Sequence, residues 1–434
     1  MKIVIIAGGK GIRLGNLTEK TPKPMLKIGD KTVLEHQIDL LKRYKISEII
    51  ICTGFLSEVI EEFVANKKDI GIKCSVESKP LGTAGCVKDL EATLNEDFLV
   101  LYGDVMLDMN LDYLINYHFS KKSAATLVAH PNDHPYDSDL LEVDHNNKIV
   151  NFLNKPHKKG LVYRNLVNAG IYVLSNKVFN YIQKDKTLDF AKDIFPCMLK
   201  SKEQIFAYNT PEYIKDMGTK DRIESVKKDF WSGKINRLNL ANKRPAIFTD
   251  RDGVINKEVD LLSRAEDFQL LPGVTEAIKN INKTEYLTVV VTNQPVVARG
   301  LCSIEDIKEI HKKMETLLGK DRAKIDAIYF CPHHPEKGYP GENTKYKIDC
   351  SCRKPKTGMI EKAQSDLNID LEKSFLIGDR TVDIQTAKNA GLTSIGVRGG
   401  YGCKDGKYDI QPTYWADDLN DAVNIIKNLK IKTK

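Results

Sequence analysis

The chain has 434 residues, 41% of them hydrophobic and 29% charged, with a net charge of +7. Its length suits two cores rather than one, and no apolar run exceeds a strand, so no membrane span is expected. The positive charge is spread out, without a basic stripe or interleaved aromatics, which favours phosphorylated small molecules over nucleic acid as partners. An apolar strand begins almost at the first residue and leaves no room for a signal peptide, so a cytoplasmic location is the expectation. The nine cysteines fit reduced thiols better than a disulfide framework.

The first strand, KIVII at residues 2–6, runs into a glycine-rich turn, Gly8-Gly9-Lys10-Gly11-Ile12-Arg13. Glycines there let backbone N–H groups approach a polyphosphate. The turn is neither a Walker loop nor G-x-G-x-x-G, and alone it fits an ordinary polar loop equally well. Thr21-Pro22-Lys23-Pro24 then places a lysine on a stiff segment, and Lys23 with Arg13 would neutralise a triphosphate and its departing pyrophosphate. Periodicity predicts helices over 33–44 and 58–65, and buried strands over 49–53, 98–102 and 124–129. Pro80-Leu81-Gly82-Thr83-Ala84-Gly85 is a second glycine loop, able to press its backbone against a base. Tyr102-Gly103-Asp104 ends a strand with a carboxylate aimed at a metal; Asn154-Lys155-Pro156, Asn168-Ala169-Gly170 and Asp216-Met217-Gly218 follow.

From the first residue to about residue 230, this series resembles the sugar-1-phosphate nucleotidylyltransferases. The resemblance implies that Gly8, Gly9 and Gly11 hold the triphosphate and that Gly82 lies at the base. It implies sugar-phosphate contacts from Lys155 and Asn168, a catalytic pair in Arg13 and Lys23, and Mg²⁺ ligands in Asp104 and Asp216. No protein nucleophile is needed, because the sugar phosphate attacks the α-phosphorus in line and the protein supplies position and charge. Two motifs depart from the family. The usual G-T-R-L-x-P-L-T is Gly11-Ile12-Arg13-Leu14-Gly15-Asn16-Leu17-Thr18, and the usual E-K-P is Asn154-Lys155-Pro156. Nucleotide and sugar preference therefore do not transfer with the motifs.

Residues 232–244 are polar, basic and poor in large apolar side chains, and they read as a linker between a domain over 1–231 and a second over 245–434. The second again alternates strands, expected at 247–249, 288–291, 327–330 and 375–377, with helices over 274–283 and 304–318. Both halves have the pattern of α/β domains built on doubly wound, mainly parallel sheets, whose ligands sit outside the carboxyl ends of the strands.

At residue 250 the sequence reads D-R-D-G-V. Two carboxylates two residues apart at a strand exit can serve as nucleophile and as acid/base in phosphoryl transfer, with Mg²⁺ offsetting their charge. The tripeptide alone fits a turn with Asx capping better than a site. Thr292-Asn293-Gln294 adds a hydroxyl and amides, Arg353-Lys354 adds fixed positive charge, and Gly378-Asp379-Arg380-Thr381-Val382-Asp383 adds further carboxylates. Between them, Cys331-Pro332-His333-His334 and Cys350-Ser351-Cys352 offer three thiolates and an imidazole, a closed set for a structural Zn²⁺ that would brace the loop presenting Arg353 and Lys354.

These blocks, in this order, resemble the haloacid dehalogenase superfamily. The resemblance implies that Asp250 is the nucleophile, Asp252 the general acid/base, Thr292 and Lys354 the phosphate-binding and charge-stabilising groups, and Asn293 and Arg353 substrate contacts. It implies Mg²⁺ ligands in Asp250, Asp252 and Asp379, with Asp383 a further acid. The zinc loop narrows the likeness to the D-glycero-D-manno-heptose 1,7-bisphosphate phosphatases, with the histidinol-phosphate phosphatases as competitors, and it favours His333 over His334 as the fourth ligand. One departure stands out: the usual T-N-Q-S-G is Thr292-Asn293-Gln294-Pro295-Val296, and proline removes an N–H donor. Together the halves imply consecutive steps: removal of the 7-phosphate of a heptose bisphosphate, then transfer of GMP from GTP to the heptose 1-phosphate. The alternative is the same chemistry on another sugar with UTP, CTP, dTTP or ATP. A homo-oligomer is compatible with the sequence.

Overall fold

The computed structural model describes residues 1–46, 48–67 and 71–432. The chain forms two compact units. Unit 1 comprises Met1–His130, Ser138–Lys155 and Leu166–Asn239; unit 2 comprises Pro131–Asp137, Pro156–Asn165 and Leu240–Lys434.

Unit 1 is built on a nine-stranded sheet. Strands β1 (Lys2–Ile6), β2 (Glu48–Thr53), β3 (Ile72–Val76) and β4 (Phe98–Tyr102) form its parallel part, with β1 between β2 and β4. β1 is all apolar past its first residue and is covered on both faces, as a central parallel strand requires. β5 (Val105–Asp108) leaves the sheet to pair with a later strand. β6 (Ala125–His130), β7 (Leu140–Val143), β8 (Ile149–Leu153) and β9 (Val167–Leu174) extend the sheet, β9 pairing antiparallel with β4, and β10 (Ile205–Asn209) runs parallel to β6. β11 (Tyr213–Asp216) pairs antiparallel with β5. The helix expected over 33–44 spans Val33–Leu41, begun by a capping box between Thr32 and Glu35.

Unit 2 has six strands, all parallel. In spatial order they are β14 (Ala327–Cys331), β13 (Leu287–Asn293), β12 (Ala246–Thr249), β15 (Phe375–Gly378), β16 (Thr393–Val397) and β17 (Tyr414–Ala416). The four predicted strands fall within two residues of these bounds. Two core-facing helices, Val274–Asn282 and Ile304–Lys320, bury Ile278, Ile281, Ile307, Ile310 and Met314.

Two features depart from a simple division at a linker. Within residues 232–244, Ile235 and Leu238 are buried in or just after the helix Lys234–Arg237, and Leu240 and Arg244 are buried as well. Asn239 donates to the Asp108 carboxylate at 2.6 Å inside unit 1, while Arg244 exchanges backbone hydrogen bonds with residues 368 and 370 inside unit 2. The segments 131–137 and 156–165, placed in the first domain by sequence, group with unit 2. There the Thr316 hydroxyl both accepts from the Tyr163 N–H at 2.9 Å and donates to its carbonyl at 3.1 Å.

Candidate active sites

In unit 2, β12, β13 and β15 end side by side, and their carboxyl ends deliver Asp250, Thr292 and Asp379 to one place. Asp250 Oδ1 accepts from the Arg251 N–H at 2.7 Å and lies 3.1 Å from Lys354 Nζ. Its second oxygen takes no hydrogen bond among the described contacts. Lys354, 3% exposed, also donates to Asp383 at 2.5 Å. Burial alone would lower the lysine, but Asp250 and Asp383 outweigh it and hold Lys354 above its ordinary value, so it stays charged. Asn293 ties this group down: its carbonyl oxygen accepts from the Lys354 N–H at 3.0 Å, and its amide donates to the Lys354 carbonyl at 3.1 Å.

Asp379 is fully buried, and one of its oxygens, Oδ1, has no hydrogen-bond partner. Burial, followed by the charges of Asp250 and Asp383, pushes its carboxyl up to about 8. Gly253 and Gly400, both at positive φ, crowd around it, since a Cβ on either would strike the carboxylate. An orphaned buried carboxylate among other carboxylates is the environment a hard cation relieves. Oxygens of Asp250, Asp379 and Asp383 all lie within 4.8 Å of one another. Asp252, expected in this set, is not part of it. Its carboxylate turns instead to Arg251 Nη2 at 2.9 Å, to Asn256 at 2.9 Å and to Gln294 at 2.7 Å. Burial would raise Asp252, but these donors, Arg251 foremost, hold it below the usual carboxylate range. Asp383 gives one oxygen to Lys354 and the other to the Arg380 N–H. It orients the lysine.

Thr292 is 1% exposed and accepts from Gln294 at 2.9 Å. Pro295 opens a turn on the wall of the cleft, and the buried Val296 and Val297 after it anchor that turn in the core. The cleft holds about 340 Å³ and is lined by Asp250, Asp252, Thr292 and Lys354. Arg299, Arg353 and Lys407 also line it and form no ion pair among the described residues.

Beside the cleft, Cys331, His333, Cys350 and Cys352 converge. Their ligand atoms stand 3.3 Å (Cys350–Cys352), 3.5 Å (Cys331–Cys350), 3.4 Å (Cys352–His333) and 3.7 Å (Cys331–His333) apart. A tetrahedral zinc with sulfur at ~2.3 Å and nitrogen at ~2.0 Å needs edges of roughly 3.5–3.8 Å, so the donor set fits. His334 turns away and accepts from the Glu336 N–H at 3.3 Å. Arg353 donates to the His333 carbonyl at 3.1 Å, which couples the cysteine cluster to the cleft wall.

In unit 1, the turn after β1 brings Gly11, at φ +66°, against Lys23: a Cβ there would stand 3.0 Å from Lys23 Cγ. Lys23 Nζ lies 3.1 Å from Asp104 Oδ2. Asp216 is the register partner of Val105, and the Met217 N–H donates to the Asp104 carbonyl at 3.0 Å, so the backbones of the two residues run side by side. Asp216 is held by Arg222 at 2.6 Å. Gly218 leaves room beside it: a Cβ at that position would lie 2.8 Å from Asp216 Oδ1 and 3.3 Å from Arg13 Nη2. Lys23 thus pairs with Asp104 while Arg13 lies beside Asp216, on adjoining segments. Gly82, at φ +76°, has a different reason to be glycine: a Cβ would meet the Leu188 carbonyl at 2.5 Å. Lys155 is exposed, and its N–H donates to Asp139 at 3.0 Å; the Asn168 N–H donates to the Asp139 carbonyl.

A family model described as nucleotidyl transferase matches residues 2–232, just over half of the chain. The chain belongs to the nucleotidyl transferase family. A second family model, described as HAD-hydrolase-like, matches residues 351–422. The D-glycero-D-manno-heptose-1,7-bisphosphate 7-phosphatase of Thermosynechococcus vestitus is 40% identical over 190 residues, 42% of this chain and 95% of that protein. The D-glycero-beta-D-manno-heptose-1,7-bisphosphate 7-phosphatase of Vibrio cholerae is 42% identical over 158 residues, 36% of this chain and 83% of that protein. Among solved structures, HddC from Yersinia pseudotuberculosis aligns with a TM-score of 0.47 at 24% identity, covering 53% of this chain and 99% of that one. The carboxy-terminal half belongs to the family of these phosphatases, so one nucleotidyl transferase chain carries two enzymes.

In this two-enzyme chain several site residues lie outside the motifs as sequence reasoning used them. Arg251, Asn256 and Gln294 hold Asp252, and Arg222 holds Asp216. Arg251 and Gln294 stand inside quoted motifs, where an arginine between two acids was itself a signal. Arg222, on the helix Lys220–Trp231, carries none. Among the described residues, no helix is long and apolar enough to cross a membrane.

Proposed function

We propose that the chain dephosphorylates D-glycero-D-manno-heptose 1,7-bisphosphate at O7 and then transfers GMP from GTP to the heptose 1-phosphate, giving GDP-heptose and pyrophosphate. The observation that carries this reading is the phosphatase cleft. Asp250, Thr292 and Lys354 suit one phosphate, and three basic side chains that form no ion pair among the described residues, Arg299, Arg353 and Lys407, suit a second. The relatives' substrate has two phosphates, and dephosphorylation leaves a sugar 1-phosphate, the acceptor class of the other half.

In the first half-reaction, the free oxygen of Asp250 attacks phosphorus, forming an aspartyl phosphate as the P–O bond to the sugar breaks. A proton carried in by the phosphomonoester monoanion passes through Asp252 to the departing alkoxide, and Asp252 then takes one from the water that hydrolyses the acyl phosphate. The donors around Asp252 favour its carboxylate, the form needed for the second step. Asp250 and Asp379 would hold Mg²⁺, which would supply charge neutralisation, and Cys331, His333, Cys350 and Cys352 would hold a structural Zn²⁺. Lys354 offsets the charge gathering on the phosphoryl oxygens.

In the second reaction, Arg13 and Lys23 stabilise the charge growing on the α-phosphate and pyrophosphate, and Asp104 and Asp216 would hold Mg²⁺. GTP is favoured because the family likeness gives this fold, rather than the one that activates heptose with ATP. A cytoplasmic location accords with nucleotide triphosphate as substrate. The test is a coupled assay of purified protein with the bisphosphate and each of five NTPs. Phosphate release together with GDP-heptose is expected; turnover of a different sugar bisphosphate or NTP in their place contradicts the assignment.

A further inference from the structure

Arg251 stands between Asp250 and Asp252 in the chain and is fully buried, whereas the Asp252 side chain is 21% exposed and lines the cleft. The guanidinium meets Asp252 by one edge only: Nε donates to Oδ1 at 3.2 Å, and Nη2 donates to both oxygens at 2.9 Å. The remaining nitrogen, Nη1, donates to His311 Nε2 at 3.3 Å. An arginine is always charged and has no lone pair to offer, so His311 is the acceptor, neutral and with its proton on Nδ1. Burial, then the Arg251 charge, hold the imidazole well below its ordinary value and keep it in that form.

His311 is itself held. It lies on the helix Ile304–Lys320, which buries Ile307, Ile310 and Met314 in the core, and its ring meets Phe330 edge-on at 5.4 Å between centroids. Thr316, on the same helix, is tied to the Tyr163 backbone. Among the described contacts no other acceptor serves Nη1. A buried donor without an acceptor is costly, so the guanidinium would shift toward another and carry Asp252 with it. We infer that His311 is a positioning residue of the phosphatase reaction. By taking the hydrogen bond from Nη1, it sets the angle at which Arg251 presents Asp252 to the leaving oxygen and to the attacking water. The inference rests on the phosphatase half-reaction above, whichever sugar is its substrate.

The test compares the full chain with two variants. His311→Leu fills the space without an acceptor, and His311→Gln brings an Oε1 that can accept from Nη1; His311→Met takes the place of leucine should that variant not fold. With heptose 1,7-bisphosphate both steps use Asp252, so kcat for phosphate release should fall about ten- to a hundredfold in His311→Leu. p-Nitrophenyl phosphate loses a phenolate that needs no proton. Its first turnover, followed as p-nitrophenolate with enzyme in excess, should therefore stay within about threefold of wild type in the same variant. His311→Gln should keep both rates within about threefold, because the acceptor is restored. Leucine as active as glutamine on the bisphosphate, or equal losses on both esters, overturns the inference while leaving the phosphatase reading intact. A wild type inert toward both esters overturns that reading and the inference with it.

Discussion

The two active sites are assembled in opposite ways. In the phosphatase half, Asp250, Lys354, Asp379 and Asp383 are all buried, and Lys354 bridges Asp250 and Asp383. In the transferase half, the side chains of Lys23 and Asp104 remain 13% and 30% exposed, and the cations Arg13 and Lys23 lie beside the carboxylates Asp104 and Asp216. The difference follows from the chemistry. A protein nucleophile must be desolvated and oriented before substrate arrives, whereas direct transfer between two substrates needs only groups that meet the phosphates as they bind.

The largest test of that contrast is Asp250→Asn. Phosphate release should fall by about 10⁴-fold or more in a single-turnover assay, while conversion of supplied heptose 1-phosphate stays at the wild-type rate. Lys23→Ala should do the reverse and more mildly, lowering GDP-heptose formation by about 10²–10³-fold with GTP binding retained. A Lys23 effect as deep as that of Asp250 would mean the open site is as tightly organised as the buried one.

The cysteine cluster sharpens the contrast, because the phosphatase site alone depends on a braced loop. Cys350→Ser should lose bound zinc by elemental analysis and lower the melting temperature of that half by about 5–10 °C, at roughly 2–4 °C per kcal/mol. Unchanged melting would show that the cluster is not structural.

The smallest expected effect is a pH dependence. Asp379 is raised in the folded state to about 8, first by burial and then by Asp250 and Asp383, so the folded protein binds more protons than the unfolded chain between its ordinary carboxylate pKa and about 8. Its stabilising contribution is full below that ordinary value and is lost as pH rises toward 8. Without Mg²⁺ the melting temperature of the phosphatase half should therefore fall between pH 5 and pH 8; Mg²⁺ or Asp379→Asn should flatten the curve. A metal-free curve that rises over this range contradicts the described burial of Asp379.

Much of the phosphatase site was legible because Asp250, Thr292 and Asp379 stand at strand ends, and parallel strands bring their carboxyl ends together whatever their separation in sequence. Asp250, Thr292 and Asp379 are separated by tens of residues yet adjacent on that account. What was not legible depends on side-chain direction. D-x-D puts both acids near one site but does not say that Arg251 turns Asp252 away from the cluster of Asp250, Asp379 and Asp383. Glycine at position 82 fits a base in sequence, while the structure also gives it the Leu188 carbonyl to avoid. The polar segment 232–244 hid Ile235 and Leu238, whose i, i+3 spacing buries one helical face despite a basic average. The grouping of 156–165 with unit 2 rests on contacts such as Tyr163 with Thr316, which no local pattern announces.

The central claim is that two independent sites act in sequence, and mixing two inactivated chains tests it most directly. Asp250→Asn and Lys23→Ala, each unable to complete the conversion alone, are combined with heptose 1,7-bisphosphate and GTP, and GDP-heptose is followed by chromatography. The account predicts that the mixture forms GDP-heptose while neither variant does so by itself. A mixture that releases phosphate yet forms no GDP-heptose, with both variants folded, would contradict it.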